Sequence, residues 1–479
     1  MDWKDFAHWG AEASRWAAEY HETLRDRPVR AQVEPGEILA QLPAAPPEDA
    51  EGIEAIFDDF KRVIVPGMTH WQHPRFFAYF PANAAPVSAF AEVLVNAMAA
   101  QCMLWQTSPA ATELETRMMD WLRQAIDLPS DFTGVIQDSA STATLAAVLV
   151  MRERALGFAG NKEGLPGQPR LRVYASSEVH SSVDRAVRFA GIGQDNLVRV
   201  PITGGLRGMD PEALRRMIAE DREAGYLPAG IVAAVGGTGV GATDPLEQVS
   251  AIAREEGLFL HVDAAWAGAA MICPEHRALW VGGEHADSVV FNPHKWLGAQ
   301  FDCSAHYLKN PDELVRTLAM KPEYLRTVGQ KGARDYSDWS IPLGRRFRAL
   351  KLWFLIRAHG LSGLRQMIRD HVRWSRELAA RLGREPGFEI VTEPVLSLFS
   401  FRYVPEGAPD PDALTLSLLE AINDDGRIYL THTKLDGTMV LRFQAGAFTM
   451  TAEDADMAFE AIRDCAAGLG HRAEAAQPK

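Results

Sequence analysis

Lys295 is the first candidate for chemistry in this 479-residue chain. It lies in FNPHKWLG, Phe291–Gly298, directly after a short apolar run and between a histidine and a tryptophan. A lysine held away from water has a lowered pKa, and its neutral amine can form a Schiff base with a carbonyl group. Most lysines are solvated surface groups, so the interpretation needs support from other residues.

A carboxylate offers that support. Asp263, in HVDAAWAG, ends an apolar stretch 32 residues before Lys295, a spacing typical of two neighbouring strand ends joined by a helix. An acid at such a position is often only a helix N-cap. A buried acid beside a pyridinium would instead keep the ring nitrogen protonated, which pyridoxal phosphate requires to withdraw electrons.

A third motif could bind an anion. QDSASTATLAA, Gln137–Ala147, places small hydroxyl residues between a short apolar run and an amphipathic segment. Free N–H groups at the start of a helix suit a phosphate. Serine and threonine are also common at helix starts that bind nothing.

The surrounding pattern predicts an α/β fold in which these motifs follow parallel strands. Because open α/β sheets bind ligands at the carboxyl ends of their strands, the polar motifs are in the expected places. After Pro342 the chain becomes strongly helical, and a shorter tail has a βαβ-like pattern. The predicted strands of the first part are 134–136, 172–175, 230–235, 258–262 and 288–291, and those of the tail are 397–403, 428–430 and 439–443.

The first 20 residues have an aromatic or alanine every three or four positions, from Trp3 to Tyr20, which predicts an amphipathic helix. This helix either packs on its own core or covers another subunit.

Composition narrows the function class. The chain is 47% hydrophobic and 23% charged, with a formal charge of −14, and it has no Lys/Arg cluster of the kind that binds nucleic acid. The four cysteines show no CxxC spacing, so neither a metal site nor a disulfide framework is predicted. No signal peptide or membrane-spanning run is recognised. We therefore expect a cytoplasmic small-molecule enzyme without a nucleic-acid or membrane partner.

Seven motifs in order resemble the aromatic-L-amino-acid decarboxylases, which are group II pyridoxal-phosphate decarboxylases. They are PRFFAYFP, SPAATELETRMMDWL, EVHSSVDRA, HVDAAWAG, NPHKW, FDCS and IPLGRRFRALKLWF. The resemblance implies the aspartate-aminotransferase type of fold (fold type I), with a mainly parallel seven-stranded-type sheet. It also implies a homodimer and three parts: an N-terminal helical dimerisation segment (1–85), a large cofactor domain (86–350) and a small C-terminal α/β domain (351–479).

Site residues follow from the same resemblance. Lys295 matches the Schiff-base lysine, Asp263 the partner of the pyridine nitrogen, and His180 the imidazole stacked on the cofactor ring. Tyr324 matches the proton-donating tyrosine of a loop that closes the partner's site. The other cofactor-binding positions are Ala140, Ser141, Thr238, Ala265, Asn292 and His294. The substrate-binding positions are Trp71, Tyr79, Phe80, Pro81, Ala82, Met103 and Gly344.

Some positions depart from relatives. Asp138 places an acid before the phosphate motif, and Gly237 replaces the first threonine of GTT. Ala82 and Met103 replace the threonine and phenylalanine of animal DOPA-preferring members, and in plant relatives a small residue at Gly344 accompanies acceptance of an indole ring. The substrate order is therefore open among tryptophan, phenylalanine, tyrosine, DOPA and 5-hydroxytryptophan.

Decarboxylation to the arylalkylamine is the expected activity. The alternatives are an aromatic acetaldehyde synthase, in which phenylalanine usually replaces the loop tyrosine, and a catalytically silent cofactor-binding homologue. Tyr324 favours the decarboxylase over the synthase. A glutamate decarboxylase is disfavoured because the segment 71–81 is aromatic rather than basic.

Overall fold

A computed structural model describes residues 1–320 and 332–475, with side chains up to residue 469. The chain forms two compact units, Ala82–Asp370 and Met1–Pro81 with His371–Lys479. The chain passes between them after Pro81 and after Asp370, whereas the predicted boundaries are at 85 and 350. The three-part division itself stays a prediction.

Helices alternate with strands through most of the chain. The α-helices are α1 Trp3–Glu22, α2 Ile53–Asp59, α3 Pro86–Met98, α4 Pro109–Ala125, α5 Ala140–Ala155, α6 Gly160–Glu163, α7 Ser182–Phe189, α8 Pro211–Glu223, α9 Leu246–Glu256, α10 Pro311–Leu318, α11 Arg348–Leu382, α12 Pro411–Asp425 and α13 Ala452–Ala475. The strands are β1 Thr133–Gln137, β2 Leu171–Ser176, β3 Leu197–Val200, β4 Ile202–Thr203, β5 Gly208–Met209, β6 Leu227–Ala234, β7 Phe259–Asp263, β8 Ser288–Phe291, β9 Ser304–Leu308, β10 Phe388–Val395, β11 Leu398–Tyr403, β12 Thr431–Leu435 and β13 Thr438–Gln444.

The larger unit contains a seven-stranded sheet in the order β1-β9-β8-β7-β6-β2-β3. Neighbouring strands from β8 to β3 pair in parallel, and β9 alone runs against both of its neighbours. The central strands are apolar and almost wholly buried, as expected of a parallel sheet covered on both faces. The carboxyl ends of β2, β6, β7 and β8 therefore meet at one edge, confirming the predicted fold class.

Two details of this sheet differ from the prediction. The connection from β7 to β8 consists of short 3₁₀ segments within 267–285 rather than an α-helix. The strands β3 and β9 were not predicted. The sequence of β9, SAHYL, contains polar residues, although every one of its side chains is buried.

The other unit contains a four-stranded sheet in the order β10-β11-β13-β12, antiparallel throughout. The prediction of a βαβ-like tail is therefore wrong in its strand pairing. The predicted strand at 428–430 is only an isolated parallel bridge between Tyr429 and Phe76, and the strand of the sheet begins at Thr431. Ile428 and Leu430 are fully buried in this unit's apolar core, so their hydrophobicity reflects packing rather than strand pairing.

Helices were predicted more accurately. The aromatic N-terminal segment forms α1, whose N-cap Asp2 accepts hydrogen bonds from the backbone N–H groups of Lys4 and Asp5 at 2.7 and 3.0 Å. The strongly helical region predicted after Pro342 forms α11, which is interrupted at Gly360, where φ is 60°. Within the described part of the chain, no helix combines the length and hydrophobicity needed to cross a membrane.

Candidate active site

The candidate catalytic residues of the larger unit follow the ends of neighbouring strands. Asp263 is the last residue of β7, and Lys295 lies in the turn after β8. His180 lies four residues after the end of β2, and Thr238 lies four residues after the end of β6. The charges of Asp263 and Lys295 both influence the pKa of His180, so the structure brings these three groups together.

Lys295 has the electrostatic environment of a nucleophilic amine. Burial lowers its pKa from 10.5 to about 8, and the negative charge of Asp263 partly opposes that shift. The turn is held from outside by Asn83, whose Nδ2 donates to the Lys295 carbonyl at 2.8 Å and whose backbone N–H donates to the His294 carbonyl at 3.1 Å. These two hydrogen bonds fix the backbone of the lysine turn and do not involve the Lys295 amine.

Asp263 is a buried carboxylate at the edge of the sheet. Its Oδ1 accepts a hydrogen bond from the backbone N–H of Ala265 at 3.0 Å. The Ala265 carbonyl in turn accepts from the backbone N–H of Asn292 at 2.9 Å. These contacts tie the residues after β7 to those after β8, so the carboxylate and the lysine turn form one rigid frame.

Two buried tryptophans reinforce the frame. Trp266 and Trp296 stack with their ring centroids 5.0 Å apart and their planes 14° apart. Each lies close in sequence to a candidate catalytic residue, Asp263 or Lys295. The stack therefore packs together the two loops that carry the carboxylate and the amine.

His180 presents a neutral imidazole. Its Nδ1 lies 3.1 Å from the backbone N of Ser182, and because that N–H can only donate, Nδ1 is the acceptor. Desolvation lowers the pKa of His180, with the charge of Asp263 opposing and that of Lys295 reinforcing the shift. The residue is nevertheless exposed, so a ligand can reach it.

His294 and Asn292 are buried supports of the lysine turn. The Nδ1 of His294 accepts a hydrogen bond from the Cys303 backbone N–H at 2.9 Å, and burial with the nearby Lys295 charge lowers its pKa to about 3. The Asn292 Oδ1 accepts from the Ser304 hydroxyl. Both side chains are engaged in protein contacts, so they hold the turn in this structure.

The start of α5 has the backbone N–H groups that an anion site needs. Ser139 caps the helix by accepting from the Thr142 backbone N–H at 3.1 Å, and the first-turn N–H groups of Ala140 and Ser141 have no carbonyl partner within a helix. Ala140 is buried with Ala143, Val290 and Ala265 in a small apolar cluster. The helix start therefore packs directly on the loops that carry Asp263 and Lys295.

Asp138, next to the start of α5, lies within the influence of the Arg348 charge. Its Oδ1 accepts from the Ser139 hydroxyl at 3.1 Å. The pKa of Arg348 is raised. Burial alone would lower it, but the hydrogen bond and the charge of Asp302 have a larger opposite effect, and the charge of Asp138 adds to the rise. Asp138 thus belongs to a group of two carboxylates and one guanidinium, which reduces its repulsion of a phosphate.

The loop that carries Thr238 has no room for a larger residue at Gly237. A Cβ atom there would lie 2.9 Å from the Glu178 carbonyl oxygen. The Gly237 backbone N–H donates to the Ala242 carbonyl at 2.7 Å, closing the loop. The missing threonine hydroxyl is therefore a consequence of the close approach of this loop to the His180 loop.

The candidate substrate residues divide between the two units. In the smaller unit, the Trp71 and Tyr79 rings stack at 5.8 Å, and Tyr79 has a φ of 50°, a strained conformation for an aromatic residue. Phe80 and Pro81 are buried, with the Arg442 guanidinium over the Phe80 ring.

In the larger unit, Met103 and Gly344 lie on adjoining segments. The Cys102 backbone N–H donates to the Arg345 carbonyl at 2.9 Å, and a Cβ at Gly344 would lie 3.2 Å from the Gln101 amide nitrogen. Ala82 is half-buried, one residue before the Asn83 contacts with the lysine turn. Tyr324 lies outside the described residues.

Sequence reasoning missed the residues that position the site. Asn83, Ser304 and the Trp266–Trp296 pair have no local signal of function. A buried ion pair was also missed: the Arg345 Nη2 lies 2.5 Å from Glu115 Oε1, which also accepts from the Ile136 backbone N–H at 2.8 Å. The presence of Glu115 and Arg345 inside two of the family motifs was the one available hint.

Comparison with known proteins identifies the family. The pyridoxal-dependent decarboxylase conserved domain matches residues 35–404. The chain belongs to the pyridoxal-dependent decarboxylase family. It is 40% identical to Mus musculus aromatic-L-amino-acid decarboxylase over 98% of this chain and 99% of the relative. It is 38% identical to Arabidopsis thaliana phenylacetaldehyde synthase over 98% of each.

The fold of this decarboxylase is shared as well. The crystal structure of Oryza sativa TDC with PLP and tryptamine superposes with a TM-score of 0.94, at 32% identity, covering 98% of this chain and 99% of that one. The family, the fold class and the carboxy-lyase class predicted from the sequence are thereby confirmed, and pyridoxal phosphate is the cofactor.

The residues present suit this cofactor. An amine with a pKa of about 8 suits its aldehyde, a buried carboxylate suits its pyridinium, and a helix start suits its phosphate. The accessible neutral imidazole of His180 suits a stacked ring. Lys295, Asp263, His180, Ala140 and Ser141 are therefore the groups that would hold it.

Proposed function

We propose that this decarboxylase converts an aromatic L-amino acid to its arylalkylamine and CO₂. The observation that carries the proposal is the placement of Asp263 and of Lys295, an amine of lowered pKa, at the carboxyl ends of the neighbouring strands β7 and β8. Pyridoxal phosphate, when bound, supplies the electron sink for the electron pair released as CO₂ leaves. The names of the similar proteins support an aromatic side chain.

Each candidate residue has a task in that reaction. Lys295 supplies the amine that bonds to the cofactor, and Asp263 holds a proton on the ring nitrogen. His180, neutral and accessible, stacks on the ring and fixes the plane to which the breaking bond must be perpendicular. Tyr324 delivers the proton to the substrate carbon that has lost CO₂.

We also propose that Thr238, Ala265, Asn292 and His294 complete the cofactor site. Asn292 and His294 act by holding the lysine turn, as their hydrogen bonds to Ser304 and Cys303 support. The substrate's aromatic ring would be contacted by residues of the proposed specificity set, which is Trp71, Tyr79, Phe80, Pro81, Ala82, Met103 and Gly344.

A panel assay tests the substrate proposal. CO₂ and amine release would be measured with tryptophan, phenylalanine, tyrosine, DOPA, 5-hydroxytryptophan and glutamate. Because Ala82 lacks a hydroxyl to bond a catechol, we expect tryptophan, phenylalanine or tyrosine to be used at least as well as DOPA. If kcat/KM for DOPA exceeded all three by more than about tenfold, roughly 1.4 kcal/mol, this interpretation of the pocket would be wrong.

An aromatic acetaldehyde synthase is the second candidate. It is favoured by the 38% identity to a protein named phenylacetaldehyde synthase. Tyr324 argues against it, because the synthases usually have phenylalanine there. Oxygen uptake and peroxide release during turnover separate the two, since a simple decarboxylase consumes no oxygen.

We propose further that the working unit is a homodimer in the cytoplasm. The side chains of Phe90, Val93, Leu94 and Met98 form one exposed apolar face of α3, with Phe90 56% exposed, and a second copy of the chain is the proposed cover. All four cysteines are free thiols, which supports a reducing compartment.

A further inference from the structure

A chain of four buried polar side chains crosses the larger unit beneath the candidate site. The Thr144 Oγ1 lies 3.3 Å from His261 Nε2, and the His261 Nδ1 lies 2.9 Å from Ser288 Oγ. The Ser288 Oγ then lies 2.8 Å from His306 Nε2. All four side chains are fully buried, and they come from α5, β7, β8 and β9 in turn.

The two imidazoles in this chain are neutral. Burial lowers the pKa of His261 well below its usual value, with the nearby His306 adding to the shift, and burial lowers the pKa of His306 to about 3. The Ser288 hydroxyl has one proton, so it donates to one imidazole and accepts from the other. Neither imidazole is therefore a buried cation, and the chain is held by directional hydrogen bonds alone.

One proton arrangement suits the surroundings better. Among the described residues, the His306 Nδ1 has no hydrogen-bond partner. A buried N–H without an acceptor is rarer than an unused lone pair, which favours a proton on His306 Nε2. Ser288 then accepts from His306 and donates to His261 Nδ1, so that His261 Nε2–H donates to Thr144 Oγ1.

Thr144 and His261 lie near the two anchors proposed for the cofactor, which are the start of α5 and the carboxylate of Asp263. Thr144 is four residues, about one helical turn, after Ala140 at the start of α5. His261 is two residues before Asp263 on β7, so their side chains lie on the same face of the sheet. One anchor would hold the phosphate and the other the pyridine nitrogen.

We propose that His261 is a positioning residue that sets the distance between these two anchors. The inference rests on the cofactor site proposed above. The face of α5 around Thr144 is built from alanine and valine side chains, which fix no register against the strands by themselves. The Thr144–His261 hydrogen bond is directional, and it holds α5 at one position along β7.

Three ligands distinguish an effect on the distance between the anchors from an effect on one anchor alone. Inorganic phosphate would engage the helix start alone, pyridoxal would engage Asp263 and Lys295 alone, and pyridoxal phosphate needs both at the correct separation. The dissociation constants of all three would be measured on the full chain freed of cofactor, with protein fluorescence and visible absorbance as readouts.

A matched pair of substitutions isolates the contact. His261→Asn retains a polar group near Nδ1 for Ser288 but has no atom that reaches Thr144, whereas His261→Gln places its amide near Nε2 and can reach Thr144. Thr144→Val removes only the hydroxyl at constant shape. Thr415→Val is the control, because Thr415 is a fully buried helical threonine of the other unit that contacts Tyr403.

We expect Thr144→Val and His261→Asn each to raise the dissociation constant of pyridoxal phosphate about tenfold, with the constants for phosphate and pyridoxal changed less than about twofold. The double variant Thr144→Val/His261→Asn should bind pyridoxal phosphate as tightly as either single variant, because both substitutions remove the same contact. His261→Gln and Thr415→Val should bind pyridoxal phosphate as the unaltered chain does.

Three results would overturn the inference. If all three ligands weakened in parallel, the contact would support the fold and not the spacing. If pyridoxal phosphate affinity were unchanged in both variants while phosphate still competed with it, the spacing role would be wrong and the proposed site would stand. If phosphate failed to compete with pyridoxal phosphate in the unaltered chain, the proposed cofactor site itself would be wrong.

Discussion

Lys295 differs from a surface lysine in its pKa of about 8, which burial lowers from 10.5. We predict that Lys295→Ala abolishes the visible absorbance of the lysine-bound cofactor and lowers turnover by at least about 10³-fold, roughly 4 kcal/mol. The fold should remain, because the turn is held by Asn83 through backbone atoms. Absorbance and amine release measure the effect, and the exposed Lys162→Ala serves as the control. Near-normal amine production would refute the assignment.

The same pKa predicts how cofactor capture depends on pH. Only the neutral amine attacks an aldehyde, so the capture rate should rise with pH up to about 8 and then level off, falling about tenfold per pH unit below that value. Because the charge of Asp263 raises the Lys295 pKa, Asp263→Asn should move the midpoint to lower pH. Stopped-flow absorbance measures the rate. A midpoint near 10.5, the ordinary lysine value, would contradict the desolvated amine.

The proposed role of Tyr324 is to protonate the substrate carbon after CO₂ has left. We predict that Tyr324→Phe leaves cofactor binding and CO₂ release largely intact but slows protonation by about 10²–10⁴-fold. Oxygen can then react at that carbon, so the products should shift from amine toward aldehyde, ammonia and peroxide. Product analysis under air and under argon tests this. An unchanged amine yield in air would exclude the proton-donor role.

Residue types indicated the candidate catalytic groups but not the residues that hold those groups in place. The short apolar runs correctly placed Asp263 and Lys295 at the ends of neighbouring strands. Asn83 is 212 residues from Lys295 in the sequence, and no local pattern indicates that contact. Asp138 looked unfavourable near a phosphate, because its compensation by Arg348 exists only after the chain folds.

Elements were predictable where hydrophobicity and secondary structure agree. The buried apolar strands β6, β7 and β8 were found for this reason. The strand β9 was missed because Ser304 and His306 are polar, although both are buried and bonded to Asn292 and Ser288. Ile428 and Leu430 misled in the opposite way, since their apolar side chains serve core packing alone.

The ion pair of Glu115 and Arg345 connects three elements of the larger unit. Glu115 is on α4, Arg345 precedes α11, and both bond to Ile136 on β1, just before the proposed phosphate site. The two side chains are only 4% and 2% exposed. We predict that Arg345→Met destabilises the protein by about 3–5 kcal/mol, because it leaves a carboxylate buried without its partner. Thermal unfolding followed by circular dichroism provides the measurement.

The double variant Glu115→Gln/Arg345→Met is the test of that cause. It removes both charges, so most of the lost stability should return. The exposed pair Arg216 and Glu220 offers a control, since Arg216→Met should change stability by less than about 1 kcal/mol. Equal losses in the single and double variants would show that the uncompensated charge is not the cause.

At the scale of the whole molecule, each unit exposes large apolar side chains. In the smaller unit, one side of α1 packs on neighbouring aromatics, with the Trp9 and Phe57 rings 6.0 Å apart and the Trp16 and Phe60 rings 4.9 Å apart. On the same helix Trp3 is 73% exposed. The predicted choice between packing on its own core and covering a second subunit stays open, because α1 contacts half-buried aromatics and has no fully buried side chain.

Assembly should therefore depend on α1. We predict that deleting residues 1–25 yields monomers with little activity, because the deletion removes the exposed apolar surface and uncovers Phe57 and Phe60. The milder change Phe6→Glu should weaken the dimer and preserve the fold, since it charges an exposed position and leaves the Trp9–Phe57 and Trp16–Phe60 pairs in place. The exposed Lys4→Glu on the same helix should have no effect. Sedimentation velocity gives the mass, and a fully active monomer would show that the site is complete within one chain.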